Sequence, residues 1–249
     1  MSAALELFVF SWGVYPRRVL LYLAEKGLLD SPQIKITQVT ISTEGKPVAP
    51  GKPPGTVPIL RLPDGIFIKQ SVAILEYLED ICDSPDPKQP WQVELSQTAG
   101  IKGTMRGTTP EEKARSREML ALADETTGYF GLACHKGSEL FAPLEPTSAL
   151  AAKLILDYAQ KPLKLLEAYY AGNSRLEEDG GRVILADCVL YSLLDFASGF
   201  YEVDLLADPE FAGLRRFYEA FKQRSSAQVP EDHFPADLKK LACQWLVLS

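Results

Sequence analysis

Strand-type patterning in this 249-residue chain stops at residue 69. Every β-type run lies before that point, and only helical periodicity follows it. A small sheet must therefore come first and a helical body second. Residues 5–10, LELFVF, are apolar and rich in β-formers. Pro16 then opens RRVLLYLAEKG, with Val19, Leu20, Leu23 and Ala24 at helical spacing and Gly27 as the stop. Residues 34–41, IKITQVTI, alternate apolar and polar, which fits a half-buried strand. Residues 42–56 hold four prolines and three glycines and read as a loop. Two further strands, 57–62 and 65–69, meet at Pro63-Asp64-Gly65, a tight-hairpin signal. Ser71 starts SVAILEYLEDIC, an amphipathic helix for which it reads as the N-cap.

The order β-α-β-loop-β-β-α predicts a right-handed crossover followed by a hairpin, hence a mixed four-stranded sheet with helices on its faces. That pattern is compatible with a thioredoxin-like domain over residues 1–83. Residues 84–92 contain three prolines and read as a linker. Residues 93–249 read as an all-helical domain, so the fold class is α/β plus all-α. Its first segment, 93–109, is Gly/Thr-rich and gives no clear element. Thr109-Pro110-Glu111-Glu112 combines a cap, a proline at N1 and first-turn acids. Further helices are predicted over 148–170, 185–200 and 209–223, with a short one near the end.

Lys and Arg number 26 against 33 Asp and Glu, a net charge of −7. That balance argues against a nucleic-acid partner, which needs a basic face, but not against a small anion held by local donors. Cys82, Cys134, Cys188 and Cys243 lie at least 52 residues apart, so no metal-like or disulfide-framework spacing exists. The expectation is no metal and a reducing, cytoplasmic setting. No run is long and apolar enough for a membrane span, and the N-terminus reads as a strand, not a signal peptide.

The best chemical signal is Thr56-Val57-Pro58-Ile59-Leu60 with Lys69-Gln70-Ser71 at a helix start. With Val57–Pro58 in cis, the Val57 backbone turns outward and can pair with a peptide as an added strand would. The helix N-terminus at Gln70 and Ser71 favours a carboxylate. The plainer alternative is an edge proline and an ordinary serine cap.

TVPIL…KQSVAILEYLED resembles the glutathione-binding signature of the cytosolic glutathione S-transferases. YPRRV followed by LLYLAEKGL is similar to the family's first helix, and LADCVLYSLLDF to a segment of its bundle domain. The resemblance spans almost the whole chain and is strongest to the microbial and fungal branch. It implies a cytoplasmic homodimer of thioredoxin-like and helical domains with glutathione as co-substrate. It implies that Val57 pairs with the cysteinyl backbone and that Pro58 is the cis-proline. Gln70 and Ser71 then hold the γ-glutamyl end, and Lys46 or Lys52 the glycyl carboxylate. The second-substrate pocket is expected between Trp12, Val14 and the helix from Pro110, walled by Tyr129 and Phe130.

Three departures matter. Gly13 stands where the serine and cysteine branches carry the thiol-activating residue. That leaves Ser11 and Tyr15 as candidate catalytic hydroxyls for stabilising the thiolate. Ile184 replaces the usual Ser or Thr before Leu185-Ala186-Asp187, so Asp187 must cap that helix without it. The stretch 91–108 is long and is expected to act as a lid. The activity implied is addition of the glutathione thiol to an apolar electrophile, in detoxification. The alternatives are a glutathione-dependent double-bond isomerase of secondary metabolism and a non-catalytic binding module.

Overall fold

A computed structural model describes residues 4–42, 46–100, 103–172, 176 and 181–247. The chain divides into two compact units, Met1–Thr108 and Thr109–Ser249.

The first unit begins with β1 (Leu5–Val9) and α1 (Val14–Glu25). The helix starts two residues before Pro16. Its third position still lies among the four N–H groups without an intrahelical partner, so proline costs no bond there. Gly27 ends it at φ +71, with the Leu28 N–H donating to Leu23 O at 2.7 Å. β2 (Ile34–Gln38) follows, then the two-residue strands β3 (Thr40–Ile41) and β4 (Pro47–Val48), which pair with each other. β5 (Ile59–Arg61) and β6 (Phe67–Ile68) form the expected hairpin, with Gly65 at φ +87. The main sheet runs β2-β1-β5-β6, with β1 parallel to β2 and antiparallel to β5. Leu5, Leu7, Phe8, Val9, Ile59 and Leu60 are among its buried residues, with Phe8 and Ile59 on one face packing with Val39. This is a thioredoxin-like unit.

α2 (Ser71–Asp83) closes the sheet region, and α3 (Pro90–Ala99) packs on it. The segment read as a linker, 84–92, thus runs into a helix with Pro90 at N1. Leu95 and Ala99 are its buried residues, and the Ser96 hydroxyl donates to Cys82 O at 2.7 Å. The compact unit accordingly extends to Thr108, beyond the 1–83 read from the sequence.

Residues 103–106 are strapped onto α1 and α2. Glu79 is fully buried and takes an ion pair from Lys26 (3.1 Å) and hydrogen bonds from the Tyr22 hydroxyl (2.8 Å) and the Thr104 hydroxyl (3.2 Å). The Met105 N–H donates to the same carboxylate. Lys26 also donates to Gly103 O at 2.7 Å. Arg106 reaches Glu76 (3.0 Å), Asp80 (2.5 Å) and Asp83 (2.9 Å). The lid expected over 91–108 is corrected here. Its described residues beyond 102 are a fixed cover on α2, because a buried carboxylate needs their donors. Residues 101 and 102 lie outside the described set.

The second unit is helical. It comprises α4 (Pro110–Gly137), α5 (Ala149–Tyr170), α6 (Leu185–Tyr201), α7 (Ala212–Lys222) and α8 (Ala236–Ala242). Thr109 caps α4 through Glu112 N–H at 3.1 Å, and the Glu112 carboxylate accepts the Thr109 N–H at 3.3 Å. At α6, Asp187 accepts the Ile184 N–H at 2.8 Å. Isoleucine offers no acceptor in return, and the second donor comes instead from the Tyr170 hydroxyl at 2.7 Å. Glu167 caps α7 with both oxygens, accepting Gly213 N–H at 2.8 Å and Leu214 N–H at 2.9 Å. Among the described residues, no helix is long and apolar enough to cross a membrane.

Candidate functional site

The sheet topology gathers three chain ends at one edge. β5 pairs with β6 through Leu60↔Ile68 and Arg61↔Phe67. The same register extended by two residues sets Pro58 opposite Gln70. β5 also pairs with β1 through Phe8↔Ile59, so the turn at residues 11–13 leaves β1 beside Val57. The sequence reading placed these segments together as a motif, and the strand register supplies the mechanical reason.

The Val57–Pro58 peptide bond is cis. Pro58 is buried and Val57 half-buried. Among the described residues, neither the N–H nor the C=O of Val57 takes a hydrogen bond. An unpaired N–H and C=O at a sheet edge can accept an extended peptide.

Ser71 departs from expectation. The N-cap of α2 is Gln70, with no side-chain cap, and Ser71 is the first helical residue. Its buried hydroxyl oxygen instead accepts from Nη1 of Arg18 at 3.1 Å. The first turn of α2 holds no acidic residue, so this N-terminus keeps its positive partial charge without an internal carboxylate. Gln70 is exposed beside it.

Two ammonium groups crowd the loop before Pro58. Lys52 donates to Pro53 O (3.0 Å) and Gly55 O (2.6 Å), and Lys69 to Pro54 O (3.5 Å). Burial, and secondarily Lys69, push the Lys52 pKa down, as expected where an ammonium loses water near a like charge. Lys69 was quoted in the sequence motif but not singled out. Its signal was its place directly before Gln70. Lys46 sits exposed at the start of the β3–β4 return, its N–H donating to Ser42 Oγ at 3.2 Å.

Gly13 is the N-cap of α1, in extended backbone and without a side-chain cap. Of the two candidate hydroxyls, Ser11 is half-buried in the turn after β1 and has no hydrogen-bond partner among the described residues. Tyr15 is 39% exposed, with the Arg18 guanidinium carbon 4.6 Å from its ring centroid. Arg18 is fully buried.

Of the residues expected around a second substrate, Trp12 and Val14 belong to the first unit and Tyr129 and Phe130 to the second. Trp12 stacks on Phe10 with ring centroids 5.5 Å apart, and Val14 opens α1, both in the first unit. Phe130 is corrected: it is 1% exposed and packs edge-on against Tyr201, so it is core of the helical unit and no pocket wall. Tyr129 lies beside Tyr158 of α5, with ring centroids 6.1 Å apart. Cys134 is buried, and burial raises its thiol pKa far above the ordinary range. Cys82, Cys134, Cys188 and Cys243 form no disulfide among the described residues.

A thioredoxin-like unit with a cis-proline edge and an uncapped helix start, followed by an all-helical unit, defines the class of the chain. Residues 12–81 match the family model described as glutathione S-transferase, N-terminal domain. The chain is 28% identical over 225 residues to glutathione S-transferase 2 of Saccharomyces cerevisiae, covering 87% of this chain and 84% of that protein. It is also similar to solved structures, three of which follow. The Gtt2 structure from S. cerevisiae has TM-score 0.61 at 23% identity, covering 89% of this chain and 98% of that one. A glutathione S-transferase from Methylobacillus flagellatus, with glutathione bound, has TM-score 0.63 at 22% identity, covering 93% and 100%. A glutathione transferase family member from Pseudomonas fluorescens, also with glutathione bound, has TM-score 0.65 at 21% identity, covering 90% and 96%. Residues 12–81 thus match the N-terminal domain of the glutathione S-transferases, and over most of its length the chain is similar to a fungal member of that family.

Proposed function

We propose that the chain is a glutathione transferase that adds the glutathione thiol to an apolar electrophilic small molecule. The observation that carries this reading is the unpaired Val57 backbone before cis-Pro58, beside an α2 start free of internal carboxylates. Glutathione is an extended tripeptide with two carboxylates, and this edge offers one site for each of its features. Its cysteinyl backbone pairs with Val57. Its γ-glutamyl carboxylate sits at the α2 N-terminus with Ser71 and Gln70. Its glycyl carboxylate meets Lys52, with Lys69 adding charge and Lys46 as the more distant alternative. The thiol loses its proton to water, and the thiolate forms the new sulfur–carbon bond as the electrophile either gives up a π bond and takes a proton at the neighbouring atom or releases a leaving group such as chloride.

Ser11 and Tyr15 are the hydroxyls that stabilise the thiolate. Gly13 favours a second reading at the same site, reversible thiol addition that isomerises a conjugated double bond. A homodimer fits the exposed apolar stripe of Leu150, Leu154, Tyr158 and Leu165 along α5, to which Tyr129 adds. Four cysteines that form no disulfide fit a reducing, cytoplasmic setting.

The test is retention on immobilised glutathione together with a chlorodinitrobenzene conjugation assay, on the wild type and on Ser11→Ala and Tyr15→Phe. Retention with conjugation, reduced at least tenfold by one of the two substitutions, is expected. Retention without conjugation moves the assignment to the isomerase or a binding module. Failure to bind glutathione overturns the proposal.

A further inference from the structure

Among the described residues of the first unit, Arg18 is the one fully buried guanidinium, and it touches both halves of the proposed site. Its Nη1 donates to Ser71 Oγ at 3.1 Å. Its guanidinium carbon lies 4.6 Å from the Tyr15 ring centroid. Tyr15 and Arg18 stand three residues apart on α1, so they share a helical face, while Ser71 opens α2. A guanidinium can only donate hydrogen bonds, whereas a hydroxyl has one donor and two acceptor sites. With Arg18 donating into the Ser71 oxygen, the serine proton is left to point at another acceptor. Donation from a cation also polarises that O–H and strengthens it as a donor.

We infer that Arg18 is a positioning residue for glutathione. It orients and polarises the Ser71 hydroxyl toward the γ-glutamyl carboxylate, and its face holds the Tyr15 ring in place. This rests on the reading of the Ser71 edge as the glutamyl site. Arg18 acts through Ser71 and Tyr15 and has no direct contact with the reacting atoms. Burial supports the role, because a guanidinium shielded from water keeps its field at short range. A lysine at position 18 keeps the charge but loses the planar fork, so it cannot serve both neighbours in the same geometry.

The experiment is a double-variant cycle on the full chain, with Arg18→Lys, Ser71→Ala and the pair. It reads KM for glutathione, KM for chlorodinitrobenzene, and the pH profile of glutathione thiolate absorbance in the complex. Far-ultraviolet circular dichroism and the melting temperature establish folding. Arg18→Lys is expected to raise KM for glutathione about tenfold in the wild-type background and less than twofold on Ser71→Ala. KM for the acceptor should stay within twofold in both. Equal effects of Arg18→Lys in the two backgrounds, or an unchanged KM for glutathione, overturn the inference. Should Arg18→Lys not fold, Arg18→Gln, which retains a planar donor, takes its place in the same cycle and is judged by the same criteria. Failure of the wild type to bind glutathione instead overturns the function on which the inference rests, and the two failures are read separately.

Discussion

Replacing Glu79 with leucine tests the strap that holds residues 103–106. The Glu79 carboxylate is fully buried and receives donors from Lys26, Tyr22, Thr104 and Met105. Glu79→Leu strands the Lys26 ammonium, itself 2% exposed, with Gly103 O as its remaining acceptor. Breaking a buried ion pair from one side costs about 3–5 kcal/mol, because the surviving charge stays desolvated. At about 2–4 °C per kcal/mol for a chain of this size, the melting temperature should fall by roughly 10 °C. Lys26→Met on top of Glu79→Leu removes the stranded charge. The residual loss is then the unsatisfied Met105 N–H and a Tyr22 hydroxyl left with only Cys82 Sγ at 3.6 Å, about 2 kcal/mol, so the double variant should be the more stable of the two. Differential scanning calorimetry measures both melts, and limited trypsin digestion should cut Glu79→Leu near Arg106 well before the wild type. A double variant at or below the single one would refute the reasoning, as would a single variant that melts within about 2 °C of wild type.

Two further outcomes follow from buried or paired carboxylates. Asp187→Ala leaves the Ile184 N–H and the Tyr170 hydroxyl without their shared acceptor, and urea denaturation should register a loss of about 2–4 kcal/mol. Tyr170→Phe, which removes one of those bonds, should lose about 1 kcal/mol. At Glu6, burial alone would raise the carboxyl pKa, but Lys35, Thr37 and Arg61 outweigh it and hold it below its ordinary 4.5. A depressed folded-state pKa contributes stability above pH 4.5 that is lost as pH falls through the folded value. Glu6→Gln should therefore be less stable than wild type near pH 6 and converge with it in acid. Melting curves across pH 3–6 test this, and parallel curves would count against it.

The mixed four-stranded sheet and the cis-proline at its edge were legible because each depends on local signals. Asp64-Gly65 dictates the hairpin, Pro58 marks a strand that cannot donate, and Thr109-Pro110 marks a helix start. α3 was missed because three prolines in 84–92 read as a linker, although Pro90 at N1 is itself a start signal. Ser71 was read as a cap because sequence spacing shows only the local alternative. The partner that takes its oxygen, Arg18, is 53 residues away, and such pairings become visible only once α1 and α2 pack. Phe130 and Tyr129 are adjacent in sequence yet face opposite environments, a distinction set by helical phase against neighbours that the sequence does not display.

The Glu79 strap also decides where the first unit can be cut from the rest. A fragment ending at residue 83 would keep the whole sheet and its hairpin, yet leave a buried carboxylate without the Thr104 hydroxyl and the Met105 N–H. It would also leave Glu76, Asp80 and Asp83 as neighbouring like charges on one helix with no Arg106 among them. The compact unit therefore ends at Thr108. A gene fusion or domain exchange joined there carries its own counter-charges, whereas one joined at residue 83 would inherit an acidic, half-satisfied seam.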